Sequence, residues 1–252
     1  MNAEIVIGMI AFALLSAVSF ASASLYPRLR ASHRDDETNT IVRLVANIFV
    51  VMTSLVFGLM LNSSKNTFET IDSNVHTYAT QLILFDRSLE FYGSDTGEVR
   101  SALVTYVEHA LTDPSRADDT LQHRRTDAEE RLSAVGTMLN EVQSATADET
   151  AQLSDLRQQY RQIVEHRWMI VEQQSGAIPT AIIGMLIAWL AMIFASFGYR
   201  APKNAVVLVA FNVAALLMAF SIYLVLDMDS PFSGLIQISD APLHRALAEM
   251  LE

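Results

Sequence analysis

The side chains able to handle ions or protons in this chain are few. Asn47 and Asn212 are the strongly polar residues inside long uncharged runs, joined there by the hydroxyls of Thr53, Ser54 and Ser221. Amide and hydroxyl oxygens can replace part of an ion's hydration shell without holding the ion tightly, so Asn47, Ser54 and Asn212 are candidate pore-lining residues. The same groups serve equally well to hydrogen-bond one membrane helix to another. Those runs contain no acid or base, which disfavours a proton pump or a charge-coupled transporter. Near the C-terminus, Asp227-Met-Asp229-Ser-Pro231-Phe232-Ser-Gly234-Leu-Ile sets two acids ahead of a proline and a short apolar stretch. A hydrolase built on Asp227 or Asp229 would need a nucleophile-base arrangement that the spacing does not supply.

Other chemistry is excluded by what the spacing lacks. The six histidines form no His-Glu-x-x-His, no Glu-x-x-His and no close pair, so neither a zinc site nor a di-iron bundle is expected. There is no Gly-x-Ser-x-Gly elbow, phosphate loop or dinucleotide fingerprint, and cysteine is absent. Catalytic, cofactor-binding and metal sites are therefore not expected. A net charge of −11 with no basic face argues against a nucleic-acid partner.

The elements that must position these residues follow from hydropathy. With 51% hydrophobic residues and a mean hydropathy of +0.27, the chain is too apolar for an ordinary soluble domain. Its apolar residues collect in four uncharged runs, Ile5 to Leu25, Leu44 to Leu61, Ile178 to Phe197 and Ala205 to Leu226. Each is close to the length that spans about 30 Å of hydrocarbon as a helix, the backbone satisfying itself internally. The expected fold is all-α: a four-span bundle (residues 1–61 and 178–226) with an inserted helical domain (62–177) and a tail (227–252). The first run has an alternative reading as a cleaved signal peptide, through Ala21-Ser22-Ala23; its only flanking charge on the N-terminal side is Glu4, whereas such peptides begin with a basic region.

Arg28, Arg30, Arg34 and Arg43 lie between the first two spans and Arg200 and Lys203 between the last two, against Lys65, Arg167 and Arg245 on the other side. The positive-inside rule puts the short loops in the cytoplasm, and both termini and the insert outside, in the periplasm of a bacterium. Residues 62–177 hold 10 Lys plus Arg against 19 Asp plus Glu, a balance of −9, so cations should gather near the insert.

Periodicity divides the insert into four helices. Phe68, Ile71, Val75, Tyr78, Leu82, Phe85, Leu89 and Tyr92 recur at spacings of three and four, and the same phase read backwards picks out Leu61, Phe57, Ser54, Val50 and Asn47. This predicts one continuous rod through the second span, ended by Gly93. A mirror series, Leu153, Leu156, Tyr160, Ile163, Arg167, Ile170, Gln174 and Ala177, continues through Ala181, Gly184, Ala188, Ala191 and Ala195, predicting a second rod with a small-residue packing seam. Shorter helices are marked by Val99, Leu103, Tyr106 and Ala110, and by Leu121, Ala128, Leu132, Val135, Leu139 and Val142, with Asp113-Pro114 between them. Short connections imply an antiparallel bundle with legs of about 45 Å. Arg167 is expected to pair with Glu69 or Asp72 on the facing leg, or else to snorkel outward. A final helix capped by Ser239 or Asp240, with Pro242 in its first turn, should bury Leu243, Leu247, Met250 and Leu251.

Two segments carry a family resemblance. Phe85-Asp86-Arg87-Ser-Leu89-Glu-Phe-Tyr92-Gly93 and the Asp227-Met-Asp229-Ser-Pro231-Phe232-Ser-Gly234 tail followed by Ala241-Pro242-Leu243 resemble the bestrophin-like domain family of bacterial membrane proteins, over nearly the whole chain. The family more often has Leu at the position of Phe85. The resemblance marks Asp86, Arg87, Tyr92, Gly93, Asp227, Asp229, Pro231, Phe232 and Gly234 as motif residues. It implies a homo-oligomeric, by analogy pentameric, ion channel in the bacterial inner membrane, with inorganic ions and the lipid bilayer as partners. Bestrophins themselves keep their termini and soluble helices in the cytoplasm, opposite to the orientation that the charge distribution favours. A non-conducting sensor or binding module is the other reading open to this sequence.

Overall fold

The computed structural model describes residues 3–25, 36–112, 127–173, 178–199, 201–202, 204–232 and 234–252. Among these the regular elements are all helical: α1 (Ala3–Leu25), α2 (Asp36–Tyr92), α3 (Gly97–Thr112), α4 (Asp127–Glu141), α5 (Ala147–Glu172), α6 (Thr180–Gly198), α7 (Ala205–Met228) and α8 (Ala241–Leu251). A short 3₁₀ turn, Ser94–Thr96, separates α2 from α3. Arg28, Arg30, Arg34, Pro114, Leu121, Gln174, Ala177, Arg200 and Lys203, all used in the sequence reading, lie outside the described residues, as does Asp113. Helices α1, α2, α6 and α7 are long and apolar enough to cross a membrane.

The chain divides into two compact units. The first comprises Met1–Thr67, Gly176–Ser230 and Gly234–Ile236. Its core is built from Ala11 and Leu15 of α1, Met60 of α2, Leu186, Leu190 and Ile193 of α6, and Ala215, Ala219 and Ile222 of α7. Backbones approach closely where residues are small: a Cβ on Gly198 would stand 2.7 Å from the Ser19 carbonyl, and Ser22 donates to the Ala195 carbonyl at 2.6 Å. Phe49 of α2 meets Trp189 of α6 with ring centroids 6.4 Å apart. Ser230, just past α7, donates to Glu4 near the start of α1 at 3.1 Å, so these two helix ends lie on the same side.

The second unit comprises Phe68–Ser175, Pro231–Ser233 and Gln237–Glu252. The expected stripes form its core: Leu82, Phe85 and Leu89 on α2, Val99, Leu103 and Tyr106 on α3, Leu132, Val135 and Leu139 on α4, and Leu153, Leu156 and Ile163 on α5. Helix α8 adds Leu243, Ala246 and Met250, while Leu251 points to solvent. Tyr160 lies across α4, donating to the Leu132 carbonyl at 2.9 Å over Gly136, where a Cβ would run into the Tyr160 ring. A capping box starts α5: Thr146 accepts from the Glu149 N–H at 3.2 Å, and Glu149 accepts from the N–H groups of Ala145 and Thr146.

Three expectations are corrected. The second rod is not continuous: α5 ends at Glu172 and α6 starts at Thr180, because Pro179 disfavours helical backbone at Ile178 and itself adopts an extended conformation at the N-cap. The small-residue stripe of α6 serves as a packing seam only toward its end: Ala181, Gly184 and Ala188 are exposed, whereas Ala191 packs against the core and the Ala195 carbonyl accepts from Ser22 of α1. The first rod is continuous, with 57 residues in α2, but its contact face does not keep the expected phase. Near the start of the helix the covered positions include Ala46, Phe49, Thr53, Val56, Met60 and Ser64, one residue off the projected Asn47, Val50, Ser54 and Leu61, which are exposed; of the projected series Phe57 alone packs against the core. Val56, Met60, Ser64 and Phe68 follow one another in steps of four. Such a stutter corrects the drift of about 20° per heptad between a 3.5-residue repeat and a straight helix.

Candidate functional site

In the part of α2 apolar enough to cross a membrane, Asn47 and Ser54 share a face that the chain's own fold leaves uncovered, together with Val50 and Leu61. Ser54 returns its hydroxyl to the Val50 carbonyl at 2.8 Å, which satisfies its proton within the helix and leaves lone pairs outward. Asn212 of α7 is not part of this face. It donates to the Leu208 carbonyl at 2.8 Å and lines a groove between α1 and α7. The three candidate pore residues thus fall on two separate surfaces of the first unit.

The Asp86-Arg87 motif works in the second unit. Asp86 is 1% exposed and takes two bonds from the Arg100 fork of α3, Nε to Oδ1 at 2.9 Å and Nη2 to Oδ2 at 3.1 Å. Arg100 Nη2 also donates to the Met250 carbonyl at 3.0 Å, closing the C-terminal end of α8. The bond to Asp86 raises the Arg100 pKa above its ordinary value, so the guanidinium stays charged. Arg87, exposed on the next position, reaches Glu90 at 3.3 Å and the Glu249 carbonyl at 3.2 Å. Both arginines therefore sit against the last carbonyls of α8, where a helix favours cations.

Gly93 ends α2 with φ +114°, its N–H donating to the Leu89 carbonyl at 3.4 Å, and Thr96 also donates its hydroxyl to that carbonyl. Burial of the Tyr92 hydroxyl pushes its pKa up, helped by Glu149 and Asp95 nearby.

The tail motif forms a turn around one carboxylate. Asp227, 2% exposed at the end of α7, accepts from the Tyr223 hydroxyl at 2.9 Å and from the N–H groups of Leu235 and Ile236 at 2.9 and 2.8 Å. Gly234 closes the turn with φ +102°, and a Cβ there would collide with Asp227 Oδ1. Asp229 is buried and accepts from the Ile178 N–H at 3.1 Å, stopping the chain just before Pro179 and α6. In the second unit the Pro231 carbonyl accepts from Ile238, and Phe232 packs with Ile71, Val75 and Ile238. These bonds fix backbone shape and use the carboxylates that a hydrolytic mechanism would require.

Of the expected Arg167 pair, Arg167 places its guanidinium 5.7 Å from the Trp168 ring centroid, Asp72 lies 4.0 Å from His76, and Glu69 is exposed. No group of three or more His, Cys, Asp or Glu among the described residues is arranged to hold a metal ion. Sequence reasoning missed Arg100 as the partner of Asp86. The available signal was that each charge adjoins a seam residue, Phe85 and Val99 respectively.

The family profile of the bestrophin-like domain matches residues 13–243. The chain belongs to the bestrophin-like domain family. Both segments that carried the resemblance fall within that match. The fold is similar to crystal structures of two single-substitution variants of a bacterial bestrophin homologue from Klebsiella pneumoniae. One is 12% identical with a TM-score of 0.49, covering 96% of this chain and 97% of that one. The other is also 12% identical, with a TM-score of 0.47 and coverage of 99% and 98%. No curated protein matches the chain.

Proposed function

We propose that this protein is a homo-oligomeric ion channel of the bacterial inner membrane, with the outward face of α2 lining the conducting path. The observation that carries the reading is the position of Asn47 and Ser54, polar and exposed at membrane depth on a helix of 57 residues. Such groups face protein or water in preference to lipid, and a ring of subunits offers both. Membership of the bestrophin-like family supports the same assignment, and five subunits is the number that the family analogy suggests.

In this reading residues 1–61 and 178–226 form the spanning core, 62–177 the acidic extramembrane domain and 227–252 an outer tail. The insert and both termini face the periplasm, following the arginines of the short connections. The −9 balance of the insert enriches cations at the mouth and favours cation over anion flow. Arg167 is assigned an ion pair with Glu69 or Asp72 that ties the bundle near the membrane. The chain is assigned no catalytic role.

The second reading, a non-conducting sensor, draws on the unbroken α2, which could carry a shift along its axis. The break between α5 and α6 removes the paired rod that such a device would use. Subunit mass in mild detergent tests the proposal at its base: a defined oligomer is expected, whereas a monomer leaves no room for a path and rejects it. Reversal potentials under a salt gradient then report the cation preference, and an anion-selective current would reject that part alone.

A further inference from the structure

We propose that the turn at Gly234–Ile236 is a membrane anchor, with Leu235 seated at the boundary between lipid headgroups and acyl chains. The proposal rests on the membrane reading of α7 given above, and the turn belongs to the same compact unit as α1, α6 and α7. Its depth follows from α7. Twenty-four residues make about 36 Å of helix, longer than a hydrocarbon core of about 30 Å and shorter than a whole bilayer of about 40–45 Å. Both ends of α7 therefore fall among headgroups. The chain leaves α7 after Met228 and then returns, because the N–H groups of Leu235 and Ile236 reach Asp227 Oδ2 at 2.9 and 2.8 Å. Leu235 is thereby held at the level of the last turn of the helix.

The side of α7 that carries the turn follows from the helix period. Leu216, Phe220, Tyr223 and Asp227 succeed one another at spacings of four, three and four, which sets them on one face. Leu216 and Phe220 are exposed apolar residues, the Phe220 ring stacks on Tyr223 with centroids 6.1 Å apart, and the Tyr223 hydroxyl donates to Asp227. The turn held by Asp227 thus stands over an apolar stripe that the chain's own fold leaves uncovered. Leu235, 71% exposed, adds one more apolar side chain beyond the end of that stripe.

The chemistry of the turn suits lipid better than water. Residues 230–239 carry no charge, so nothing in the segment opposes contact with acyl chains. Non-helical backbone at an apolar boundary is costly through its unpaired N–H groups, and Asp227 supplies the acceptor for both amides of the turn. In water, solvent would satisfy those donors without a dedicated carboxylate. Because Asp227 is itself buried, the group presented outward is the leucine side chain rather than the charge.

The chain has no cysteine, so one introduced thiol carries a spin label to a single site. Leu235→Cys is compared with Leu216→Cys on the span and Asp148→Cys at the start of α5, all three at exposed positions where a label displaces no core residue. Each full-length variant is labelled and reconstituted in vesicles of phosphatidylethanolamine and phosphatidylglycerol. Power saturation is then read with oxygen, which concentrates in lipid, and with a nickel chelate, which stays in water. The ratio of oxygen to nickel collisions at position 235 should exceed that at position 148 severalfold and approach that at position 216. A ratio at 235 equal to that at 148, with 216 lipid-like, overturns the anchor alone. An aqueous ratio at 216 as well overturns the membrane reading of α7 and the anchor with it. Few collisions with either reagent at 235 would place the turn against protein, as in contact with a second copy, and would also overturn the proposal.

Discussion

Arg100 holds Asp86 through two parallel bonds of 2.9 and 3.1 Å while the same guanidinium closes the end of α8 at the Met250 carbonyl. One side chain thus ties three helices of the second unit, and the carboxylate it neutralises is almost fully buried. Arg100→Met would leave that charge without its partner. Loss of one member of a buried pair costs about 3–5 kcal/mol, and the 30% exposure of the Arg100 side chain places the expected loss toward the lower end. Arg100→Lys should recover only part of it, because an ammonium cannot reproduce the planar fork. Combining Arg100→Met with Asp86→Ala should cost less than the sum of the single changes, as read by thermal unfolding in detergent. Strict additivity would show that the two side chains act independently.

The two glycines of positive φ should respond differently to alanine. Gly93 at φ +114° has open space where an alanine methyl would point, so Gly93→Ala meets backbone strain alone, about 1–3 kcal/mol. Gly234 at φ +102° would in addition drive its Cβ into the Asp227 carboxylate. Gly234→Ala should therefore destabilise the protein more than Gly93→Ala and release the turn at the end of α7. Proteolysis between α7 and α8 provides the readout, and equal resistance in the two variants would contradict this account of the turn.

The capping box of α5 sets an acid limit on local stability. Backbone N–H groups of Ala145 and Thr146 hold the Glu149 pKa below its ordinary 4.5. A carboxyl with a lowered folded-state pKa stabilises fully above its unfolded value and loses that contribution as pH falls through the folded one. The start of α5 should therefore fray as pH drops below 4.5, and Glu149→Gln should remove this part of the pH dependence. Hydrogen exchange at the first turn of α5, compared between neutral and acid pH, checks the direction. Stronger protection in acid would reverse the sign and refute it.

Much of the architecture is legible because membrane physics writes it in bulk properties. Four uncharged runs become α1, α6, α7 and the spanning part of α2, and three-four stripes such as Phe85 with Leu89 and Val99 with Leu103 become the core of the second unit. The register at membrane depth is not legible by extrapolation. A phase error of one residue separates the exposed Asn47 and Ser54 from the covered Ala46 and Thr53, and the stutter near Ser64 emerges only once burial is known. The small residues of α6 mislead for a related reason: Gly198 meets α1 closely, whereas Gly184 has nothing within 4 Å, and composition alone cannot tell them apart. The Asp227 turn is hidden because its partners, the N–H groups of Leu235 and Ile236, are backbone atoms that no side-chain pattern marks.

Ion current through purified protein in planar bilayers tests the central claim most directly. The assignment of the α2 face predicts discrete conductance that Asn47→Leu or Ser54→Leu reduces severalfold, with Leu216→Trp on the outward side of α7 having no effect. Silent bilayers from a well-folded oligomer, or currents indifferent to both α2 substitutions, would contradict it.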